Sequence, residues 1–399
     1  MRKKNNAIFN NKIFLVLNDY SWESHLRKGR YYISMGLSDY CIVLFIGSPP
    51  DRKDLKSFDL IRKITPKLIK IKKGLYHLEW PWWTLKIYSS KKIKDIMLGF
   101  RICLVKRIVD QLCKKGNCQI ITYITHPSML EYFNIYKNAT KIYNPYDKFS
   151  EYGMAGGINR RIETIENKFV PHFDFVLCPH QQMVGYFKNL NRNTHLFPHG
   201  VDFEHYSRAT KKETVIPKDI LYIRKPIIGY AGVVNERIDF CLLKYVLERR
   251  PDWSIVMIGP IRLSNENKII FDLLIKMANF YWLGYKRPDA LPNYLKHFDV
   301  AIIPFKQKKW VKWISNPLKL HIYTSAGLPS VTSNFDNIDE FYDKIYIASH
   351  KSEWILKIQD ALNEDEKKEL KKRRLSLASE NDWSKRINFL LKLVGHDVG

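Results

Sequence analysis

Short apolar runs without polar alternation recur along this chain, most of them separated by stretches of helical spacing. In the first half they are "KIFLVL" (12–17), "YCIVLFIG" (40–47), "QIITYIT" (119–125), "KIYN" (141–144), "FDFVLC" (173–178) and "THLFP" (194–198). In the second they are "PIIGYAG" (226–232), "WSIVMIGP" (253–260), "FYWLG" (280–284), "FDVAIIPF" (298–305), "PSVTS" (329–333) and "KIYIAS" (344–349). Runs of this length, rich in branched residues, predict strands buried on both faces, hence parallel sheets covered by helices. The chain therefore reads as α/β, with two doubly wound parallel-sheet domains facing a cleft and C-terminal helices. The expected boundaries are 1–206 for the first domain, 207–226 for a polar linker, 227–380 for the second domain, and 381–399 for a helix packing back toward the first. Sheets of this kind bind ligands beyond the carboxyl ends of their strands, so chemistry is sought there.

Composition adds little to this picture until charge is considered. With 399 residues, 45% apolar and 27% charged, the chain suits about two globular domains. No run reaches the roughly 18 apolar residues of a membrane-spanning helix. "IFLVL" is too short for a signal-peptide core, and six cysteines without a CxxC pair fit reduced thiols, so a cytoplasmic setting is expected. The net charge of +26 is the outlier and predicts an anionic partner. Residues 61–116 hold 15 Lys/Arg against Glu79, Asp95 and Asp110, with "LIKIKKGLYHLEWPWW" mixing lysines and aromatics. Ile96, Phe100, Cys103, Leu104 and Ile108 then fall at helical spacing beneath a basic face. That mixture suits peripheral attachment to an anionic membrane surface, and equally a core helix with a solvated basic back. No nucleic-acid module accompanies the charge, so nucleic acid is not an expected partner.

Four stretches at strand ends could carry chemistry. "SNPLKLHIYTSAGLPS" (315–330) has Asn316 and Pro317 at a helix start and Lys319 in its first turn, where a cation opposes the helix dipole unless it holds an anion. The same lysine could simply face solvent. "GYAGVVNERID" (229–239) places Gly229 and Gly232 at a βα turn and Arg237 within reach of a diphosphate, or makes an ordinary turn with an exposed arginine. "THPS" and "NPYDKFSEYGMAGG" bring His126, Asp147 and Glu151 to strand ends, as a general base or as structural caps. "NDYSWESHLRKGR" (18–30) offers Trp22, His25, Arg27 and Arg30 as part of an acceptor wall, or a loop and helix with scattered charges. There is no Walker motif, HExxH, GxSxG or strand-terminal DxD, so no metal or other cofactor is expected.

These segments, with "FDFVLCPHQQM", "HLFPHGVDFEHY" and "LGYKRPDALPNYLKHFDVAIIPF", resemble the GT-B glycosyltransferases, in particular the family-4-like bacterial enzymes that build teichuronic acid and other polysaccharides. The resemblance spans roughly 12–350. It implies two Rossmann-like domains, acceptor on the first and nucleotide-sugar on the second. Lys319 would contact the donor diphosphate, with Gly229 to Gly232 beneath it, Tyr285 and Lys286 near the base, and Phe305 flooring the site. Asp147 matches an acidic residue on the acceptor side. Relatives read "NPLKLYEY" where this chain reads "NPLKLHIY", so Ile322 replaces a ribose-binding glutamate, a loss worth about 1.5–3 kcal/mol unless another group substitutes. The implied activity is metal-independent sugar transfer from a nucleoside-diphosphate sugar, UDP-sugar favoured and GDP-sugar possible. The acceptor is a hydroxyl of a polysaccharide or lipid-linked glycan, retention being favoured over inversion. The setting is the inner face of the cytoplasmic membrane. A degenerate GT-B binding protein and a sugar-nucleotide epimerase are the alternatives.

Overall fold

The structure is a computed structural model and describes residues 11–22, 29–49, 65–81, 84, 91–113, 118–151, 159–306, 318–366 and 368–395. Two compact units emerge, one of residues 1–198 with 386–399, the other of 199–385. Each contains its own parallel sheet.

The first unit holds β1 (Lys12–Leu17), β2 (Ile42–Ile46), β3 (Lys67–Lys72), β4 (Leu75–Glu79), β5 (Gln119–Ile124), β6 (Thr140–Tyr143), β7 (Phe175–Cys178) and β8 (Thr194–Leu196), in the order β3-β4-β2-β1-β5-β6-β7-β8. All neighbours are parallel except β3 and β4. In β1 only Lys12 escapes full burial, which is what its unbroken apolar run requires. The first strand sits between β2 and β5, so connections leave in opposite directions on its two sides and open a crevice at the carboxyl ends.

The second unit holds β9 (Ile227–Ala231), β10 (Val234–Asn235), β11 (Ser254–Ile258), β12 (Ile261–Arg262), β13 (Phe280–Trp282), β14 (Val300–Ile303), β15 (Ser330–Ser333) and β16 (Tyr346–Ala348). Six of them form a parallel sheet, β13-β11-β9-β14-β15-β16, and β10 pairs with β12 alone. Strands β9, β11, β14 and β15 are buried along their whole length. The crevice here lies between β9 and β14.

All twelve expected strands appear: β1 with the expected bounds, β6 one residue earlier, and the others one to four residues shorter. The hairpin β3–β4 is not among the predicted strands, because lysines interrupt its apolar residues. It is the edge of the sheet, where β3 is mostly exposed and its lysines discourage pairing with another chain. The expected linker 207–226 lies inside the second unit, with a helix at Lys218–Leu221 and Ile220 buried. Its polar composition reflects exposed faces rather than an extended tether. The final helix, Trp383–Leu393, runs from the last residues of the second unit into the first. Its first-unit part is fixed there: Arg386 donates to the Pro198 carbonyl, Phe389 packs on Phe197, and Lys12 Nζ donates to the Val394 carbonyl at 2.8 Å.

One buried acid ties β6 to the helix Arg160–Phe169. Glu166 is fully buried and accepts from Tyr143 Oη at 2.7 Å. Burial pushes its carboxyl up to about 7, against the Tyr143 hydrogen bond and the Lys148 charge. A carboxyl whose folded pKa is raised holds its proton more tightly when folded, so its contribution is full below about 4.5 and is lost as pH rises toward 7. The melting temperature should therefore fall between those values, by the equivalent of about 3 kcal/mol. Glu166→Gln, which keeps an acceptor for Tyr143, should flatten that part of the profile; an unchanged slope would exclude Glu166 as its source.

Candidate donor and acceptor sites

In the second unit, buried β9 forces the chain to leave the sheet at Ala231, and the turn that follows is built around Gly232. Its N–H donates to the Ile258 carbonyl at 2.8 Å. A Cβ on Gly232 would lie 2.3 Å from Lys319 Cε and 3.0 Å from Nζ, so the lysine tip rests directly on this backbone. Lys319 comes from the first turn of the helix Leu318–Ser325. The same helix is bonded to β9, since Tyr323 Oη accepts from the Ala231 N–H at 2.9 Å.

Two rings flank the lysine tip. Its Nζ lies 5.4 Å from the Tyr230 ring and 5.5 Å from the Phe305 ring. Among the described residues the ammonium has no hydrogen-bond or carboxylate partner. The residue as a whole is half-buried, yet burial of the tip pushes its pKa down to about 8, with Arg237 repulsion adding to it. Arg237 stands on a pinned loop. Its N–H meets Asn235 Oδ1 at 3.1 Å, its carbonyl accepts from the Lys306 N–H, and Ile238 bridges Phe305. The Lys319 ammonium thus rests on a glycine turn within the field of a second cation and without a carboxylate of its own among the described residues, an arrangement that an anion completes.

The other expected donor residues fall differently. Gly229 is inside β9 rather than at the turn, and a Cβ there would enter the Phe298 ring at 2.1 Å, so the glycine serves packing. Lys286 is held at 2.7 Å by Asp219, which raises its pKa, and Tyr285 is 63% exposed. Neither contacts the Lys319 cluster among the described residues. Asn316 and Pro317 lie outside the described residues. Ile322 is half-buried against the core, and His321 is fully buried on Phe341 with Nε2 3.8 Å from Glu340. The histidine is therefore committed to a different face of the helix.

In the first unit, Asp19, His126 and Tyr146 follow β1, β5 and β6 at the crevice, and Arg30 reaches them from the helix Gly29–Leu37. His126 Nδ1 accepts from the Ser128 N–H at 3.1 Å, which turns Nε2 toward Asp19 Oδ2 at 3.7 Å. The Arg30 guanidinium stacks 3.4 Å over Tyr146 and lies 3.9 Å from Asp19. Burial draws the Arg30 pKa below its ordinary value, against the pull of Tyr146 and Asp19. Asp147 follows in the chain. Glu151 is taken up by Lys148 at 3.0 Å, and Lys148 also caps the Tyr186 ring. Trp22 is 6% exposed and packs edge-on to Phe45, which makes it a core residue rather than an open wall. His25 and Arg27 lie outside the described residues. Asp19 was missed from the sequence, although an "ND" pair directly after a buried strand is the signal that marks it. Among the described residues no three His, Cys, Asp or Glu side chains converge as a metal site would need.

Two doubly wound units, each with its polar groups at the strand carboxyl ends, make this chain a GT-B fold, the fold of its structural neighbours. It is similar over 96% of its length to Anabaena HepE solved with UDP and glucose, covering 98% of that chain at 12% identity and a TM-score of 0.64. The sucrose-phosphate synthase of Thermosynechococcus elongatus is similar over the same shares, at 12% identity and a TM-score of 0.68. In sequence, the chain is 25% identical over 244 residues to a Bacillus subtilis (strain 168) protein named as the teichuronic acid biosynthesis glycosyltransferase TuaH. That match spans 59% of this chain and 60% of TuaH. No protein-family profile matches the chain.

Because the Gly232 backbone and the Lys319 tip are in contact, Gly232→Ala should displace the ammonium and weaken binding of a diphosphate anion, with pyrophosphate as the probe, by about tenfold or more. Titration calorimetry on variant and parent, with circular dichroism confirming the fold, checks this; equal affinities would show that the contact does not set the site.

Proposed function

We propose that this protein transfers a sugar from a nucleoside-diphosphate sugar, UDP-sugar favoured, to a hydroxyl of a polysaccharide or lipid-linked glycan. The observation that carries this reading is the Lys319 ammonium, held against the Gly232 turn beside Arg237 with no counter-charge among the described residues. The neighbour solved with UDP and the relative named for teichuronic acid synthesis point the same way.

Breaking the bond between sugar and diphosphate leaves negative charge on the departing phosphate oxygen. Lys319 and Arg237 meet that charge as it grows, and their mutual repulsion is relieved when the diphosphate binds. This electrostatic route needs no metal. For the acceptor hydroxyl, an inverting reaction calls for a base among Asp147, His126 and Glu151. His126, oriented by Ser128 and facing Asp19, has the more suitable setting of the two groups with described partners, since Glu151 is engaged by Lys148. In a retaining reaction, which the family-4 likeness favours, the leaving phosphate oxygen takes the proton and these groups only position the acceptor. Ile322 offers no acceptor for the ribose hydroxyls, which favours as second reading a GT-B protein that binds a nucleotide without transfer.

The first unit also suits an anionic membrane surface at the cytoplasmic face. On the helix Lys91–Leu112, Ile96 and Phe100 are 59% and 57% exposed, with Lys92 and Lys94 exposed beside them. The stripe expected from the sequence thus divides. Ile108 joins Val105 and Val109 in the core, while Ile96, Phe100 and Cys103 face outward. No helix among the described residues is long and apolar enough to cross a membrane.

A thermal-shift panel of UDP, GDP, ADP and dTDP should single out UDP, with EDTA making no difference. Only the charged Lys319 holds the diphosphate, so affinity should be level below about pH 8 and fall above it by up to about tenfold per unit. Lys319→Met should remove that fall and abolish transfer; transfer at parental rates would end the assignment, and UDP binding without transfer to any acceptor would favour the second reading. In sedimentation with vesicles, the protein should bind phosphatidylglycerol-containing membranes over pure phosphatidylcholine. Ile96→Ser with Phe100→Ser should reduce that binding, whereas equal binding to both lipids would reject the membrane reading.

A further inference from the structure

The chain beyond β9 and β11 is zipped together before it reaches the arginine beside the Lys319 turn. Val234 and Asn235 of β10 pair with Ile261 and Arg262 of β12, and the Val234 N–H donates to the Pro260 carbonyl at 2.9 Å. That ladder ends at Asn235, two residues short of Arg237. Backbone left unpaired keeps its conformational freedom, so whatever ties down residues 236–239 decides where the arginine charge lies.

Two sets of contacts do so. On one side the Arg237 carbonyl accepts from the Lys306 N–H at 2.8 Å, Ile238 bridges to Phe305, and the Asp239 N–H donates to the Pro304 carbonyl at 2.8 Å. On the other, Glu236 Oε1 accepts from the N–H of Ser264, the residue that opens the helix Asn265–Ile275. The Ser264 side chain makes no capping bond, and the Glu236 carboxylate stands at the helix end where the dipole favours an acid.

Side chains then close a circuit. Asn267, in the first turn of the same helix, accepts by Oδ1 from Lys306 Nζ at 2.8 Å. From Arg237 the path runs through Lys306, Asn267, the helix start and Glu236, and returns to Arg237. Glu236, Asn267 and Lys306 are each half-buried and none belongs to the hydrophobic core, so their bonds fix a direction rather than fill volume. They also divert two charges. No ion pair joins Glu236 to the adjacent arginine, and the Lys306 ammonium is turned onto an amide oxygen.

We propose that Glu236, Asn267 and Lys306 are positioning residues for the donor site, a circuit that uses the start of the helix Asn265–Ile275 to hold the Arg237 charge at a set distance from the Lys319 ammonium. The inference rests on the reading of that site as the one that binds the diphosphate. While the circuit is closed, both cations can meet one anion. Once it is opened, Arg237 can withdraw into water and leave Lys319 to act alone.

The test follows Lys319 itself. In the ligand-free protein its rate of acetylation, followed by peptide mass spectrometry across pH, should rise with an inflection near pH 8, because burial first and Arg237 second hold its pKa down. Glu236→Ala with Asn267→Ala should move the inflection up by about half a pH unit or more, and weaken pyrophosphate binding by about threefold or more, with the fold retained by circular dichroism. Loss of the acid alone would move the inflection down, so an upward move is not its direct charge effect. Glu236→Gln, which keeps an acceptor for Ser264, should hold the parental inflection. Arg237→Met should also raise it, and adding the Glu236 and Asn267 changes to Arg237→Met should raise it no further. A parental inflection in the double variant would overturn the positioning role. So would a further rise on top of Arg237→Met, since the residues would then act on Lys319 without the arginine. The profile needs no ligand, so it decides the circuit by itself; failure of the parent protein to bind pyrophosphate would instead overturn the donor reading on which the role depends.

Discussion

Strands β9 and β14 are buried from end to end, and a strand in that position can offer polar groups to a ligand only beyond its termini. The second unit is arranged around this restriction. Backbone from the β9 turn meets a side chain from the helix Leu318–Ser325, and Tyr323 holds that helix to the strand by a hydrogen bond to Ala231. The ammonium of Lys319 is therefore placed by packing and not by a partner of its own. A cation held this way is unstable relative to one in water, and an anionic ligand restores what burial removes. The same restriction operates in the first unit, where Asp19, His126 and Tyr146 gather beyond β1, β5 and β6.

The fold was legible from the chain because parallel strands leave an unmistakable trace, short and uninterrupted apolar runs. Where that trace is broken the reading faltered. Lys67, Lys70 and Lys72 interrupt β3, and its exposed edge position is what permits them. The site was legible in part. Lys319 and Gly232 could be named from helix and turn chemistry, since both act through local backbone geometry. Gly229 could not be told apart from Gly232, because its reason for being glycine is the Phe298 ring, which is 69 residues away in the chain. Lys286 and Glu151 likewise look available in the sequence and prove to be held by Asp219 and Lys148. Partners of this kind depend on tertiary placement, which spacing does not encode.

The charge of +26 also takes on a more particular meaning. It divides among places with different chemistry: the Lys319 and Arg237 pair, the lysines beside Ile96 and Phe100, and a cationic cavity at the amino ends of the second sheet. The excess charge of the composition thus resolves into local concentrations, each with its own geometry. Arg30 and Arg374 stand apart from these, since stacking and carbonyl contacts make them part of the framework.

The glycine turns beneath Lys319 bear on how such a protein could change over evolutionary time. A Cβ on Gly259 would sit 2.0 Å from the Gly232 carbonyl oxygen, just as one on Gly232 would strike Lys319. The turns after β9 and β11 and the lysine therefore form a stack with no room for a side chain at either glycine. Variation at those positions is closed to any path of single substitutions that preserves the arrangement. A lineage altering its chemistry here would have to do so from the next layer out, at positions such as Ile322 on the same helix, while the glycine and lysine stack passed unchanged from ancestor to descendant.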